Sequence, residues 1–171
     1  TIVPYDTVKR KDTVIKIDSS DKHTNWFNFM KVYFTGGWEE ETFGVLDRFA
    51  DKNKVLIDIG SWVGPITLYY ADKYHYIYAI EADKDSARVL RQNIVLNSFN
   101  NIIVIERAIY NENKKIYFGS NEFYGSKEMN ISISQCRDSK LYDSDYNVMG
   151  ITFDDIIKRY SIDNVNVLQQ V

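Results

Sequence analysis

The sequence predicts an α/β fold built on a doubly wound, mostly parallel sheet. Three observations predict it: short apolar runs end in an acidic residue or a glycine, helical segments follow these runs, and the unit recurs along the chain. The 171 residues, of which 44% are hydrophobic and 26% charged, have the composition of a globular chain with one main domain. Because 21 basic and 24 acidic residues leave a net charge of −3, we expect no broad basic surface and predict no nucleic-acid partner.

The first 37 residues are predicted to form a separate β-hairpin region. Apolar residues alternate over 13–17 and continue over 29–34, and a polar turn separates the two runs. This pattern favours two strands. A helix is predicted next, because apolar side chains recur on one helical face at Trp38, Thr42, Val45, Leu46 and Phe49.

Residues 38–171 are predicted to form the main domain. The runs 55–59, 76–80 and 102–105 predict three buried strands, with a helix from Pro65 between the first two. A second helix is predicted after residue 81, because apolar residues recur there at helical spacing. Alternating strands and helices of this kind form parallel sheets with right-handed crossovers.

The later part of the main domain has a weaker pattern. A strand is predicted over 115–118, and the polar stretch near 119–150 is predicted to be an irregular insertion with short strands. Thr152-x-x-Asp155 is typical of a helix start, and 165–168 predicts one more strand. Because no helix follows that strand, we expect an incomplete sheet with an open edge, and we predict either association with a second copy of the chain through that edge or an aggregation-prone monomer.

Three features follow predicted strands and would meet at the carboxyl edge of the sheet, where α/β folds bind ligands. The first is the segment Asp58-Ile59-Gly60-Ser61-Trp62-Val63-Gly64, whose glycines allow a tight turn. The second is Glu81, which can accept hydrogen bonds from both hydroxyls of a ribose. The third is Glu106 with Ala108, placed to meet an adenine edge. Together they predict a nucleoside site.

The nucleoside could belong to NAD or to S-adenosylmethionine. NAD sites usually carry G-x-G-x-x-G, because a pyrophosphate lies against the helix N-terminus. This chain has D-x-G-x-x-x-G, and a carboxylate at Asp58 would repel a pyrophosphate but could receive an ammonium directly or through water. The pattern therefore favours S-adenosylmethionine, and an NAD-binding protein stays open as a weaker alternative.

Several motifs together resemble the FkbM family of class I S-adenosylmethionine-dependent methyltransferases. They are the run from Trp38-Glu39 to the D-I-G-x-W-x-G-P motif, the segment 78–83, Asn93 with Leu96-Asn97, and Ala108-Ile109. The resemblance implies a Rossmann-like fold of class I methyltransferase type. It supports an assignment of the cofactor-binding residues to Asp58, Gly60, Ser61, Trp62, Gly64, Glu81, Ala82, Glu106, Ala108 and, at the methionyl end, Glu39.

The FkbM resemblance implies O-methylation of a hydroxyl on a small molecule or glycan. The family's acidic pair after the fourth sheet strand has no counterpart here, so we expect a truncated copy and assign no catalytic base. A non-catalytic nucleoside-binding or assembly module derived from the same fold is the alternative.

The remaining composition bears on compartment and metals. Cys136 is the only cysteine, which excludes an internal disulfide and a zinc site of paired cysteines, and the two histidines are far apart. We therefore predict no metal. No apolar stretch has the length of a membrane helix and no signal-peptide core is present, so a cytoplasmic location is expected.

Overall fold

The computed structural model describes residues 3–20, 25–37, 39–119 and 134–170. The strands are β1 (Tyr5–Arg10), β2 (Thr13–Asp18), β3 (Val55–Ile59), β4 (Tyr76–Ile80), β5 (Ile102–Ile105), β6 (Ala108–Ile109), β7 (Lys115–Gly119), β8 (Gln135–Arg137), β9 (Tyr146–Ile151) and β10 (Val167–Gln170). The helices are α1 (Asn25–Thr35), α2 (Glu40–Phe49), α3 (Pro65–Tyr70), α4 (Lys84–Leu96) and α5 (Phe153–Arg159).

A parallel sheet of order β10-β3-β4-β5 forms the centre of the molecule. Its strands are short and apolar, and side chains alternate between its two faces, so that Leu56 and Ile57 enter different core clusters. The cluster around Leu56 includes residues of α1, α3 and α4, whereas the cluster around Ile57 includes Ile156 of α5. Helices on both faces of a parallel sheet confirm the predicted α/β, doubly wound fold class.

Local sequence signals begin the two central helices. Pro65 occupies the first turn of α3, directly after Gly64, whose φ of 100° lies in the left-handed region. Asp83 is the N-cap of α4, and its side chain accepts a hydrogen bond from the Ser86 amide at 2.6 Å. Both helices therefore start immediately after the sheet edge that the glycine turn and Glu81 occupy.

The predicted strand over 29–34 is wrong, because this segment lies in helix α1. Its buried side chains are Phe27, Met30, Tyr33 and Phe34, which follow helical and not strand spacing. The hairpin forms instead between β1 and β2, which pair antiparallel. Hairpin and α1 side chains join the same core as Leu56, and a domain boundary at residue 37 stays a prediction.

The predicted helix after residue 38 is present as α2, but its buried face differs from the predicted one. Phe43 and Leu46 are buried, whereas Val45 and Phe49 are each 50% exposed. Trp38 lies outside the described residues. The hydrophobic pattern thus predicted the element but not its rotation against the core.

A second sheet of order β6-β9-β7-β8 follows the parallel sheet in the chain. It contains the short strands predicted for the region near 119–150, of which residues 120–133 are outside the described part. Thr152 caps α5 as predicted, since its hydroxyl accepts a hydrogen bond from the Asp155 amide at 3.2 Å. The predicted final strand is β10, which pairs parallel with β3.

Within the described part of the chain, no helix is long and apolar enough to span a membrane. The association of two copies through the sheet edge stays a prediction.

Candidate active site

A cavity of about 330 Å³ opens at the carboxyl edge of the parallel sheet. Its lining comes from the segments that follow β3, β4 and β5, from α1, and from the second sheet. The volume falls within the range of small-molecule sites, and the location is the one that open α/β sheets use for ligands.

The turn after β3 forms one wall of this cavity. Gly60 and Trp62 have φ values of 77° and 50°, and Gly60 leaves the backbone uncovered where it lines the cavity. The amides of Gly60 and Ser61 both donate to the Ile80 carbonyl, at 2.9 and 3.1 Å. The turn is thereby held against the end of β4, next to Glu81.

Glu81 is the central acidic residue of the cavity. It is 7% exposed, and its two carboxylate oxygens accept backbone hydrogen bonds from Trp62 and Asp83, each at 2.7 Å. Burial raises the pKa of Glu81 to about 7, although the two backbone donors oppose this rise. Because each carboxylate oxygen has two lone pairs, Glu81 retains acceptor capacity for hydroxyl groups in the cavity.

Asp58 lies beneath the turn and does not line the cavity. It is 1% exposed, and its Oδ2 accepts a hydrogen bond from the Thr67 hydroxyl at 2.5 Å. Its Oδ1 is buried with no hydrogen-bond partner among the described residues. Burial raises the pKa of Asp58 to about 6. The structure thus shows Asp58 supporting α3, and its contact with an ammonium group stays a prediction.

The predicted site residues divide into three groups. Gly60, Trp62, Glu81, Ala82, Ala108 and Glu39 line the cavity. Ser61 and Gly64 shape the turn without lining it: the Ser61 hydroxyl donates to the Asp58 carbonyl at 2.8 Å, and the Gly64 amide donates to the Ser61 carbonyl at 2.9 Å. Glu106, like Asp58, is outside the lining; it is exposed and forms an ion pair with Arg91 at 2.8 Å.

Sequence reasoning missed the aromatic side of the cavity. Phe29 and Tyr33 of α1 line it, and their ring centroids lie 6.3 and 6.1 Å from that of Trp62. Because the segment 29–34 was predicted to be a strand, these two residues were not recognised as part of the site. The helical spacing of the apolar residues from 27 to 34 could have indicated a helix there. Trp62 both packs against these rings and faces the cavity. Phe118 and Cys136 of the second sheet also line the cavity, and no local pattern points to them.

Comparison with known proteins decides the family. The model of the TRM5/TYW2 methyltransferase domain matches residues 21–120, which include the glycine turn and Glu81. The chain belongs to this family. Membership confirms the predicted enzyme class, an S-adenosylmethionine-dependent methyltransferase, and the predicted cofactor, S-adenosylmethionine.

Individual relatives cover parts of the chain. The tRNA (guanine(37)-N(1))-methyltransferase Trm5b of Pyrococcus abyssi is 31% identical over 75 residues, which are 44% of this chain and 22% of that protein. The structure of M. jannaschii TYW2 in complex with AdoMet aligns with a TM-score of 0.39 and 22% identity, over 61% of this chain and 44% of the other. The complex of aTrm5 with tRNALeu aligns with a TM-score of 0.41 and 17% identity, over 71% of this chain and 42% of the other. An uncharacterized protein of Methanocaldococcus jannaschii is 35% identical over 72 residues, which are 41% of this chain and 28% of that protein. The chain thus matches less than a third of the length of either of these two curated relatives.

The family result corrects three predictions. The FkbM assignment is wrong, because the matching family is TRM5/TYW2. The predicted hydroxyl acceptor on a small molecule or glycan is contradicted, since the Pyrococcus abyssi relative is named for a tRNA base. The predicted absence of a nucleic-acid partner is contradicted by the same relative. A glycine turn followed by an acid at the next strand end indicates which cofactor binds, but it carries no information about the methyl acceptor. The net charge of the whole chain likewise does not show whether a local surface binds nucleic acid.

Proposed function

We propose that this chain is a domain of a tRNA methyltransferase that transfers the methyl group of S-adenosylmethionine to a base of tRNA. The observation that carries the proposal is the match of the TRM5/TYW2 methyltransferase domain to residues 21–120. Support for a tRNA acceptor comes from the name of the Pyrococcus abyssi relative. A tRNA acceptor agrees with the predicted cytoplasmic location, which stays a prediction.

The residues around the cavity suit the nucleoside part of S-adenosylmethionine. Glu81 offers carboxylate acceptors for ribose hydroxyls, and Gly60 lets the backbone approach the ligand. Trp62, Phe29 and Tyr33 form an aromatic wall beside the turn. We assign cofactor contacts to the predicted residues that line the cavity and structural support to Asp58, Ser61 and Gly64.

S-adenosylmethionine supplies an activated methyl group on a sulfonium. The contribution of the protein is to hold the acceptor atom in line with that group at about 3 to 3.5 Å, which accounts for much of the acceleration in reactions of this type. The apolar rings around the turn exclude water from the cavity wall, and Glu81 orients the ribose end. No catalytic base is assigned.

Arg107 offers a cationic group at the cavity for the approaching tRNA. It lines the cavity after β5, and its guanidinium donates a hydrogen bond to the Glu106 carbonyl at 2.7 Å. Remaining guanidinium donors can contact a phosphate. One local contact of this kind is compatible with a chain whose net charge is −3.

The test is transfer of a labelled methyl group from S-adenosylmethionine to unmodified tRNA transcripts that carry guanine or adenine at position 37. We expect label in tRNA, and a lower rate for Arg107→Ala than for Arg159→Ala, which alters an exposed arginine of α5 outside the cavity lining. Saturable binding of S-adenosylhomocysteine without label in any transcript would contradict the tRNA acceptor alone. Absence of that binding would contradict the cofactor site as well.

A further inference from the structure

Three side chains form a row across the second sheet. Phe118 of β7 is directly opposite Cys136 of β8 on one side and Tyr146 of β9 on the other. Directly opposed residues of antiparallel strands project from the same face, so the three side chains lie together. Phe118 and Cys136 line the cavity, and the rings of Phe118 and Tyr146 meet edge to face with centroids 5.7 Å apart.

A hydrogen bond joins this row to the parallel sheet. The Tyr146 hydroxyl donates to Oδ2 of Asp83, which is 2% exposed and also lines the cavity. The other oxygen of Asp83 caps α4, and its amide donates to Glu81. Burial and the bond to Asp83 hold the pKa of Tyr146 above its usual value, so the hydroxyl stays the donor. The row is therefore fixed next to the predicted ribose acceptor.

The order of the parallel strands indicates which end of the cofactor faces the row. Strand β4, which ends at Glu81, lies between β3 with its glycine turn and β5. A ribose held at Glu81 thus has the turn on one side and the segment after β5 on the other. Ala108 and Ile109 of that segment form β6, which belongs to the same second sheet as the row. The row and β6 thus belong to one sheet, and both contribute residues to the cavity lining.

We propose that the row Cys136, Phe118 and Tyr146 is the wall that covers the base of the bound cofactor, with Tyr146 as a positioning residue that holds the wall against Asp83. The inference rests on the proposed function, because it deepens the description of the same cofactor site. The second sheet is thereby part of the binding site and not a peripheral addition to the fold.

The single cysteine provides a direct test. Cys136 is free and partly exposed, so alkylation by iodoacetamide reports one position only. At about pH 9, where more of the thiol is ionised, we expect saturating S-adenosylhomocysteine to slow alkylation at least about tenfold. Adenosine at saturation should protect equally, since it carries the base without the amino acid. Binding of both ligands without protection would overturn the wall alone, whereas absence of binding would overturn the proposed cofactor site with it.

The positioning role of Tyr146 has a matched control within the same region. Tyr146→Phe removes the hydroxyl that bonds to Asp83, and Tyr110→Phe removes one that bonds to Asp138 outside the cavity lining. Because a hydrogen bond to a charged group is lost, we expect the Kd for S-adenosylhomocysteine and for adenosine to rise by about fivefold to tenfold in Tyr146→Phe, with less than about a twofold change in Tyr110→Phe. Equal Kd values for the two variants, at matched unfolding midpoints, would overturn the role of Tyr146.

Discussion

Two buried carboxylates end neighbouring strands of the parallel sheet and have different surroundings. Glu81 accepts hydrogen bonds from two backbone amides and lines the cavity. Asp58 accepts a hydrogen bond from a hydroxyl group and lies outside the cavity lining. The sequence placed both acids at strand ends but could not show which way each side chain points. Glu106 illustrates the same difficulty, because it follows β5 as predicted and yet pairs with Arg91 outside the cavity lining.

Replacing Glu81 tests its role as ribose acceptor. In Glu81→Gln an NH2 group replaces one carboxylate oxygen. Because both oxygens of Glu81 accept hydrogen bonds from backbone N–H groups, this NH2 group faces another donor and one of the two bonds is lost. We expect the Kd for S-adenosylhomocysteine to rise at least about tenfold by calorimetric titration at about pH 8, above the pKa of Glu81, since a charged acceptor is then lost. Glu106→Gln is the control and should bind as the unmodified chain does. Similar losses in both variants would contradict this role.

Asp58 should make stability depend on pH in the direction opposite to a salt-bridged acid. Burial raises its pKa from 3.8 to about 6, so the folded state binds the proton more tightly than the unfolded state. Its stabilising contribution is therefore complete below about pH 4 and is lost as the pH rises through 6. Relative to Asp58→Asn, the chain should lose on the order of 3 kcal/mol of unfolding free energy between pH 4 and 7, as measured by urea denaturation. A difference that is constant with pH would contradict this expectation.

Among the elements, the segment from β3 to β5 was predictable because local signals and tertiary structure agree there. Apolar strands, a proline at the first turn of α3 and helical spacing in α4 all indicate the observed fold. Helix α1 was not predictable in the same way, since a short apolar run suits a buried strand and a buried helix equally. The second sheet is formed by pairing between strands that polar loops separate. The hydrophobic pattern within a single strand does not show which other strand it pairs with.

The turn between β3 and α3 should tolerate no side chain at Gly64. Its φ is 100°, and a Cβ would lie 2.5 Å from Leu90 Cδ1 and 3.1 Å from Leu68 Cγ. We expect Gly64→Ala to lower the unfolding free energy by about 2 kcal/mol or more, because backbone strain and overpacking add. Gly44→Ala, within α2 and with open space around its Cβ, should raise it by about 0.5 to 1 kcal/mol. Chemical denaturation of both variants measures the contrast, and equal effects would contradict it.

At the scale of the whole molecule, the cavity joins three parts of the fold. The edge of the parallel sheet supplies the glycine turn and Glu81, α1 supplies aromatic rings, and the second sheet supplies Phe118 and Cys136. Composition and strand pattern predicted only the first part, because the other two depend on packing between segments distant in sequence. A ligand that contacts all three parts should stabilise the entire chain.

Thermal unfolding with added ligand measures this coupling. S-adenosylhomocysteine at about 100 times its Kd should add about 2.7 kcal/mol of stability. For a chain of this size the unfolding midpoint should then rise by roughly 5 to 10 °C. NAD should leave it unchanged, because the turn after β3 reads D-x-G-x-x-x-G and lacks the G-x-G-x-x-G pattern that usually holds a pyrophosphate. A rise with NAD alone would favour the dinucleotide alternative.

The position of β10 has a consequence for protein synthesis. Strand β10 pairs with β3, and the Val55 amide bonds to the Asn166 side chain across 111 residues of sequence. Strands β3, β4 and β5 leave the ribosome one soon after another and can pair early. The other edge of β3 stays unpaired until β10 has been synthesised. At bacterial and eukaryotic elongation rates the delay is roughly 5 to 20 seconds. During that interval the nascent chain presents an open strand edge, and Gln170, which lines the cavity, has not yet been added. The cavity is therefore complete only after residue 170 has left the ribosome.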